Sequence, residues 1–212
     1  MSELIKRDVL VVKPPQTKLI FPCTRADTQG KRIYMLLGPV SGAWDWHQRM
    51  IDEIASRDDD CFIVCPRNYS EDHPYYQFKQ PGDEGDFANL EAWERFYIHK
   101  AMRHGCAVYW LAAPEPGYLA SGKPFGVGTY GELGRWGSKA IKESLNMCIG
   151  AEEDFPGLDR VAFNLMADYS HRYTDVIGND FGYSPLSPLS KFRIFDTIET
   201  TAEMAVSRAK MF

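Results

Sequence analysis

The segment Gly126–Trp136 (Gly-Val-Gly-Thr-Tyr-Gly-Glu-Leu-Gly-Arg-Trp) places a single carboxylate, Glu132, where a glycine-rich loop runs into a helix-forming stretch. Glycine lets the backbone turn tightly and approach a ligand closely. The first turn of a helix presents free N–H groups and a positive dipole end, so a carboxylate there is expected to stay ionised and anions are welcome. An ionised carboxylate beside a sugar-sized opening is a nucleophile for an anomeric carbon. The same pattern also describes an ordinary acidic residue at a helix start, so the elements around it must decide between the two.

Those elements alternate. Ile33–Leu37 is an apolar run ended by Gly38-Pro39, as expected of a buried strand, and Trp44 to Arg57 carries Trp46, Met50, Ile51 and Ile54 at helical spacing. Cys61–Cys65 predicts a second strand closed by Pro66, and residues 67–87 read as a long surface loop. Phe87 to His104 predicts a helix, Cys106–Ala112 a third strand and 114–127 a flexible Pro/Gly segment. A third helix follows over 130–143, then a fourth strand at Leu145–Ile149 and a fifth at Arg160–Leu165. That rhythm predicts a parallel sheet with helices on both faces. Ligands then bind outside the carboxyl ends of the strands, around Gly38–Asp45, the 66–94 loop with its following helix, and 112–132.

The flanks read differently. Val9–Val12 and Leu19–Phe21 surround Lys13-Pro14-Pro15, which predicts a small β appendage or arm over residues 1–31. Residues 166–212 form a C-terminal extension, with a Tyr/Ser/Pro/Gly-rich stretch at 181–190 and an amphipathic helix from Phe192 to Ala209, packed on the domain or on a partner subunit. Tyr69, His73, Tyr75, Tyr76 and Phe78 in the 66–87 loop suit either an aromatic lid or a subunit contact.

Composition narrows the classes. A length of 212 residues fits one domain, and 44% hydrophobic content is ample for a core. A formal net charge of −5 argues against a nucleic-acid partner, and no apolar run approaches membrane-spanning length. Cys61, Cys65, Cys106 and Cys148 sit in strand-like runs, with no Cys-x-x-Cys pair or nearby His cluster to suggest a metal. Buried reduced thiols, and a Met1–Asp8 start without the basic-then-apolar pattern of a signal peptide, lead to the expectation of a cytoplasmic protein.

Three pieces in order, Gly38-Pro39-Val40-Ser41-Gly42-Ala43-Trp44-Asp45-Trp46, Leu90-Glu91-Ala92-Trp93-Glu94-Arg95, and the Gly126–Trp136 loop with its Glu-Leu-Gly-Arg-Trp end, resemble the nucleoside 2-deoxyribosyltransferase-like family. That family also holds relatives that hydrolyse nucleoside 5′-monophosphates at the N-glycosidic bond. The resemblance covers residues 32–165. It implies a flavodoxin-like α/β fold, three layers around a central parallel sheet, and double displacement at C1′ of a (deoxy)ribosyl group. It also implies a homo-oligomer with shared sites.

By motif match Glu132 takes the nucleophile's place and Glu94 that of the acid that handles the leaving base. Gly38, Ser41, Gly42 and Trp44, with Gly126, Gly128 and Tyr130, match the loops that line the substrate. Here Glu94 stands a helical turn further from the third strand than the family's acid, leaving His99 at the expected level as a second proton carrier. Gly126 replaces the transferases' loop Asp; the Gly-Val-Gly loop and the Gly38–Ser41 turn offer backbone N–H groups to a 5′-phosphate, with Arg135 and Arg67 near but within neither loop.

The chemistry fits the pair. Cleavage of an N-glycosidic bond passes through an oxocarbenium-like state that one carboxylate traps while a second acid protonates the base, as in retaining glycosidases. The substrate is then a small nucleoside or nucleotide, and no metal or redox cofactor is needed. Transfer, hydrolysis, and a nucleotide-binding module without catalysis all remain open at this level.

Overall fold

The computed structural model describes residues 10–12, 30–67, 90–165 and 193–211. The elements, in chain order, are β1 (Leu10–Val12), β2 (Arg32–Leu37), α1 (Trp46–Arg57), β3 (Cys61–Val64), α2 (Leu90–His104), β4 (Gly105–Leu111), α3 (Val127–Glu143), β5 (Met147–Ala151), α4 (158–165), β6 (Ile194–Phe195) and α5 (Ile198–Lys210). The six strands form one sheet in the order β1-β3-β2-β4-β5-β6, and every pairing is parallel. Apart from the edge strand β1, this is the flavodoxin-like order.

Residues of β3, β4 and β5 are buried throughout, because a central parallel strand is covered on both faces and so reads as a continuous apolar run. Right-handed crossovers fix the layers. The chain moves one way from β2 through α1 to β3, then back past β2 through α2 to β4, which puts α1 and α2 on opposite faces. Helix α5 packs on β4 and β5 and against α1, closing that layer, while α2 covers β2 and β4.

Several expectations shift. Residues 158–165 are helical, so Arg160–Leu165 is not a strand. Val161 and Leu165, four apart, are the buried residues there while Phe163 is exposed, a helical period hidden in a β-rich composition. The remaining edge of the sheet is β6, taken from the start of the expected C-terminal helix. That helix begins only at Ile198, where Thr197 caps it by accepting from the Thr200 N–H at 3.1 Å. Asp45 likewise caps α1, so that helix starts at Trp46. The fourth predicted strand lies two residues later, at Met147–Ala151. Leu10–Val12 of the expected arm pairs with β3 at the edge of the main sheet. Leu19–Phe21, the 66–87 aromatics and the 181–190 stretch lie outside the described residues, as does Cys23. The other four cysteines are buried and in no disulfide among the described residues. No helix among the described residues is long and apolar enough to cross a membrane.

At the amino ends of the strands, Asp58 anchors β2 to the end of α1. It accepts from Arg32 Nε at 2.6 Å and Nη2 at 2.7 Å, and from the Tyr34 hydroxyl at 2.7 Å. Burial opposes its ionisation, but the guanidinium and the phenol outweigh it and hold the carboxyl below its usual range. Its contribution is therefore present above roughly pH 4 and lost as pH falls through the depressed value. Asp58→Ala is expected to cost roughly 3 kcal/mol or more in denaturant unfolding at pH 7, with the gap to wild type shrinking at acid pH.

Candidate active site

Chain order reverses between β2 and β4, so the loops leaving their carboxyl ends diverge and open a crevice, the usual ligand position in such sheets. A cavity of ≈ 340 Å³ lies there. Its walls include Gly38 and Ser41 after β2, Gly126 and Thr129 at the start of α3, and the side chains of Glu94 and Glu132.

The wall after β2 is held against β4. At Gly38 (φ 152°) a Cβ would lie 2.1 Å from the Trp110 carbonyl oxygen and 2.8 Å from the Trp46 ring, so only glycine permits this approach. The Trp46 indole N–H donates to the Pro39 carbonyl at 2.8 Å. Ala43 bridges Pro114, and the Glu115 N–H donates to the Gly42 carbonyl at 2.7 Å. The Tyr118 ring lies where a Gly42 Cβ would be. Glu152, just past β5, accepts from the Trp44 indole N–H and from the Ala113 N–H, each at 2.7 Å. Gly42 and Trp44 thus fasten the loop, and neither lines the cavity.

Sequence reasoning missed Glu152. Its only signal was an acidic residue at the carboxyl end of a predicted strand, without a motif around it. Glu152→Ala leaves two donors without their acceptor and is expected to cost about 1–3 kcal/mol. The Trp44 emission should change, with Glu152→Gln intermediate, because it retains one acceptor oxygen.

Helix α3 starts at Val127, three residues earlier than its sequence suggests, with Gly126 in the left-handed region (φ 65°) at its cap and no side-chain capping bond. Glu132 therefore sits in the second turn, beyond the free N–H groups, and the first turn has no acidic residue. The expectation that the helix end keeps Glu132 ionised is overturned. Burial, and then the charge of Glu94, push its carboxyl up to about 7. Burial and the charge of Glu91 raise Glu94 as well. Two carboxyl groups so placed can divide their roles near neutral pH, one ionised and one protonated.

Tyr109 was also missed. It is fully buried on β4, in register with Leu37, and its hydroxyl has no hydrogen-bond partner among the described residues. Burial, with the Glu132 charge added, raises its pKa well above the ordinary value. Its apolar neighbours on β4 hid it inside a run that reads only as core.

The other predicted residues are dispersed. Gly128 lines the cavity. The Tyr130 hydroxyl donates to the Pro156 carbonyl, and its ring packs on Phe155 with centroids 5.4 Å apart, which fixes α3 rather than a ligand. His99 accepts from Arg103 Nε at 3.1 Å and lines neither this cavity nor the next; burial and then Lys139 and Arg103 lower its pKa. A second cavity of ≈ 270 Å³ lies between α2 and α3, bordered by Glu91, Arg95, Arg135 and Trp136 and again by Glu94 and Glu132. Among the described residues no group of three or more His, Cys, Asp and Glu side chains is placed to hold a metal ion. No protein-family model matches the chain, and no curated protein matches it in sequence.

Proposed function

We propose that this protein cleaves or transfers the N-glycosidic bond of a nucleoside through a glycosyl-enzyme intermediate on Glu132. The observation that carries the reading is the pair Glu94 and Glu132, both lining one cavity at the reversal of strand order, with both carboxyl groups raised above their ordinary range by burial. Ionised Glu132 attacks C1′ while the C1′–N bond breaks, and the nitrogen takes its electron pair and a proton from Glu94. Water or an acceptor base then attacks C1′ and gives its proton to Glu94. The ester C1′–O bond breaks and Glu132 is again a carboxylate.

Among the described residues of the larger cavity, the two glutamates are the only charged side chains. Two carboxylates without a cation repel a phosphate, which favours an unphosphorylated sugar over a 5′-monophosphate. The monophosphate hydrolase of the same family is the alternative, and the resemblance also carries a homo-oligomer.

The experiment is free-base release from deoxynucleosides and their 5′-monophosphates, with and without a second base. Release that speeds up or yields a new nucleoside when the second base is present supports transfer. Release indifferent to it supports hydrolysis. Ligand binding without release from any substrate supports a non-catalytic module and overturns the reading. Sedimentation at several concentrations tests the oligomer.

A further inference from the structure

The glutamate pair stands between two openings. Glu94, Gly128 and Glu132 line both the cavity under the loops and the one between α2 and α3, so open space lies on either side of the carboxylates. The two walls differ in chemistry. The loop side offers backbone at Gly38 and Gly126 and the hydroxyl-bearing Ser41 and Thr129, a surface suited to a polyhydroxyl sugar. The inter-helical side offers two guanidinium groups and an indole. Arg95 is paired with Glu91 at 3.2 Å, whereas Arg135 is exposed and makes no hydrogen bond or ion pair among the described residues.

Resting on the glycosidic reading above, we propose that the scissile bond crosses this waist, with the sugar in the loop-side cavity and the base in the inter-helical cavity, where Arg135 donates to a ring carbonyl. Arginine only donates, and its planar fork matches an edge of acceptors such as the carbonyl and ring nitrogen of a 6-oxopurine. A 6-aminopurine presents a donor on the same edge. Arg135 is then the specificity-determining residue for oxo-bearing bases. The departing base takes its proton from Glu94 within this cavity, and an acceptor base enters by the same route.

Gly131 borders the inter-helical cavity, and a Cβ there meets nothing within 4 Å. Gly131→Leu therefore starts its side chain into open space beside the cavity and favours the helix. The test is kcat/KM for base release from the hypoxanthine and adenine deoxynucleosides, for wild type, Gly131→Leu, Arg135→Met and Glu132→Gln, each checked by a melting curve. The expected result is a wild-type preference for hypoxanthine. Arg135→Met should lower the hypoxanthine value about 10- to 100-fold with the adenine value unchanged, and Gly131→Leu should lower both at least about tenfold.

Wild-type values in both variants, with Glu132→Gln still inactive, overturn the base position and leave the glycosidic reading intact. Full activity in Glu132→Gln, or no release by wild type, overturns both. Should Gly131→Leu fail to fold, the selective loss in Arg135→Met decides, since that exposed side chain is dispensable to the core.

Discussion

Replacing Glu132 by glutamine is expected to lower base release by at least on the order of 10⁴-fold, because no other carboxylate takes over the attack on C1′. The substitution keeps the volume of the side chain and should leave the fold intact. Its effect on stability has a definite sign. A carboxyl whose folded pKa is raised above its unfolded value loses stability as pH rises from the unfolded value through the folded one, here from roughly 4.3 to about 7. Glu132→Gln removes that loss. The variant should match wild type near pH 4 and melt higher above pH 7, while having lost its activity. An inactive protein that is also less stable at pH 8 would point to a structural role for the side chain instead.

Replacing Glu94 by glutamine is expected to reduce release by about 10²- to 10⁴-fold, the usual contribution of a positioned proton donor. The loss should fall most heavily on bases that leave poorly without a proton and least on an activated, acidic leaving group. The pH profile carries a second signature. Attack needs Glu132 ionised while Glu94 still holds its proton, so wild-type activity should fall on both sides of the pH at which the pair carries one proton. Glu94→Gln has no proton to lose, and its residual activity should lack the alkaline limb. A structural role for Glu94 explains the rate loss; only a proton donor explains the missing limb.

Where the physics is local, the sequence was legible. The continuous apolar runs at Ile33–Leu37 and Cys61–Cys65, with the helical spacing of Trp46, Met50 and Ile54, sufficed for a parallel α/β sheet. Boundaries failed where capping competes with pattern. Glycine at 126, 128 and 131 made the start of α3 resemble a loop, and the three-residue error moved Glu132 from the helix end to the second turn. That reversed its electrostatics, from stabilised anion to raised acid. Arg160–Leu165 failed because four-residue spacing over so short a run is hard to tell from alternation.

The fastening of the Gly38–Asp45 loop by Glu152 depends on contacts far apart in sequence, 108 residues to Trp44 and 39 to Ala113. No local pattern encodes them. Pairing of the two glutamates is likewise tertiary: 38 residues separate them in sequence, and the sheet brings α2 and α3 together around one cavity.

Mass spectrometry of protein quenched within one turnover, followed by peptide mapping, tests the covalent step itself. The expected result is a pentosyl adduct on the peptide that carries Glu132, formed with one equivalent of released base and absent from Glu132→Gln. Base released in the first turnover with no adduct on any carboxylate, or an adduct elsewhere than Glu132, would contradict it.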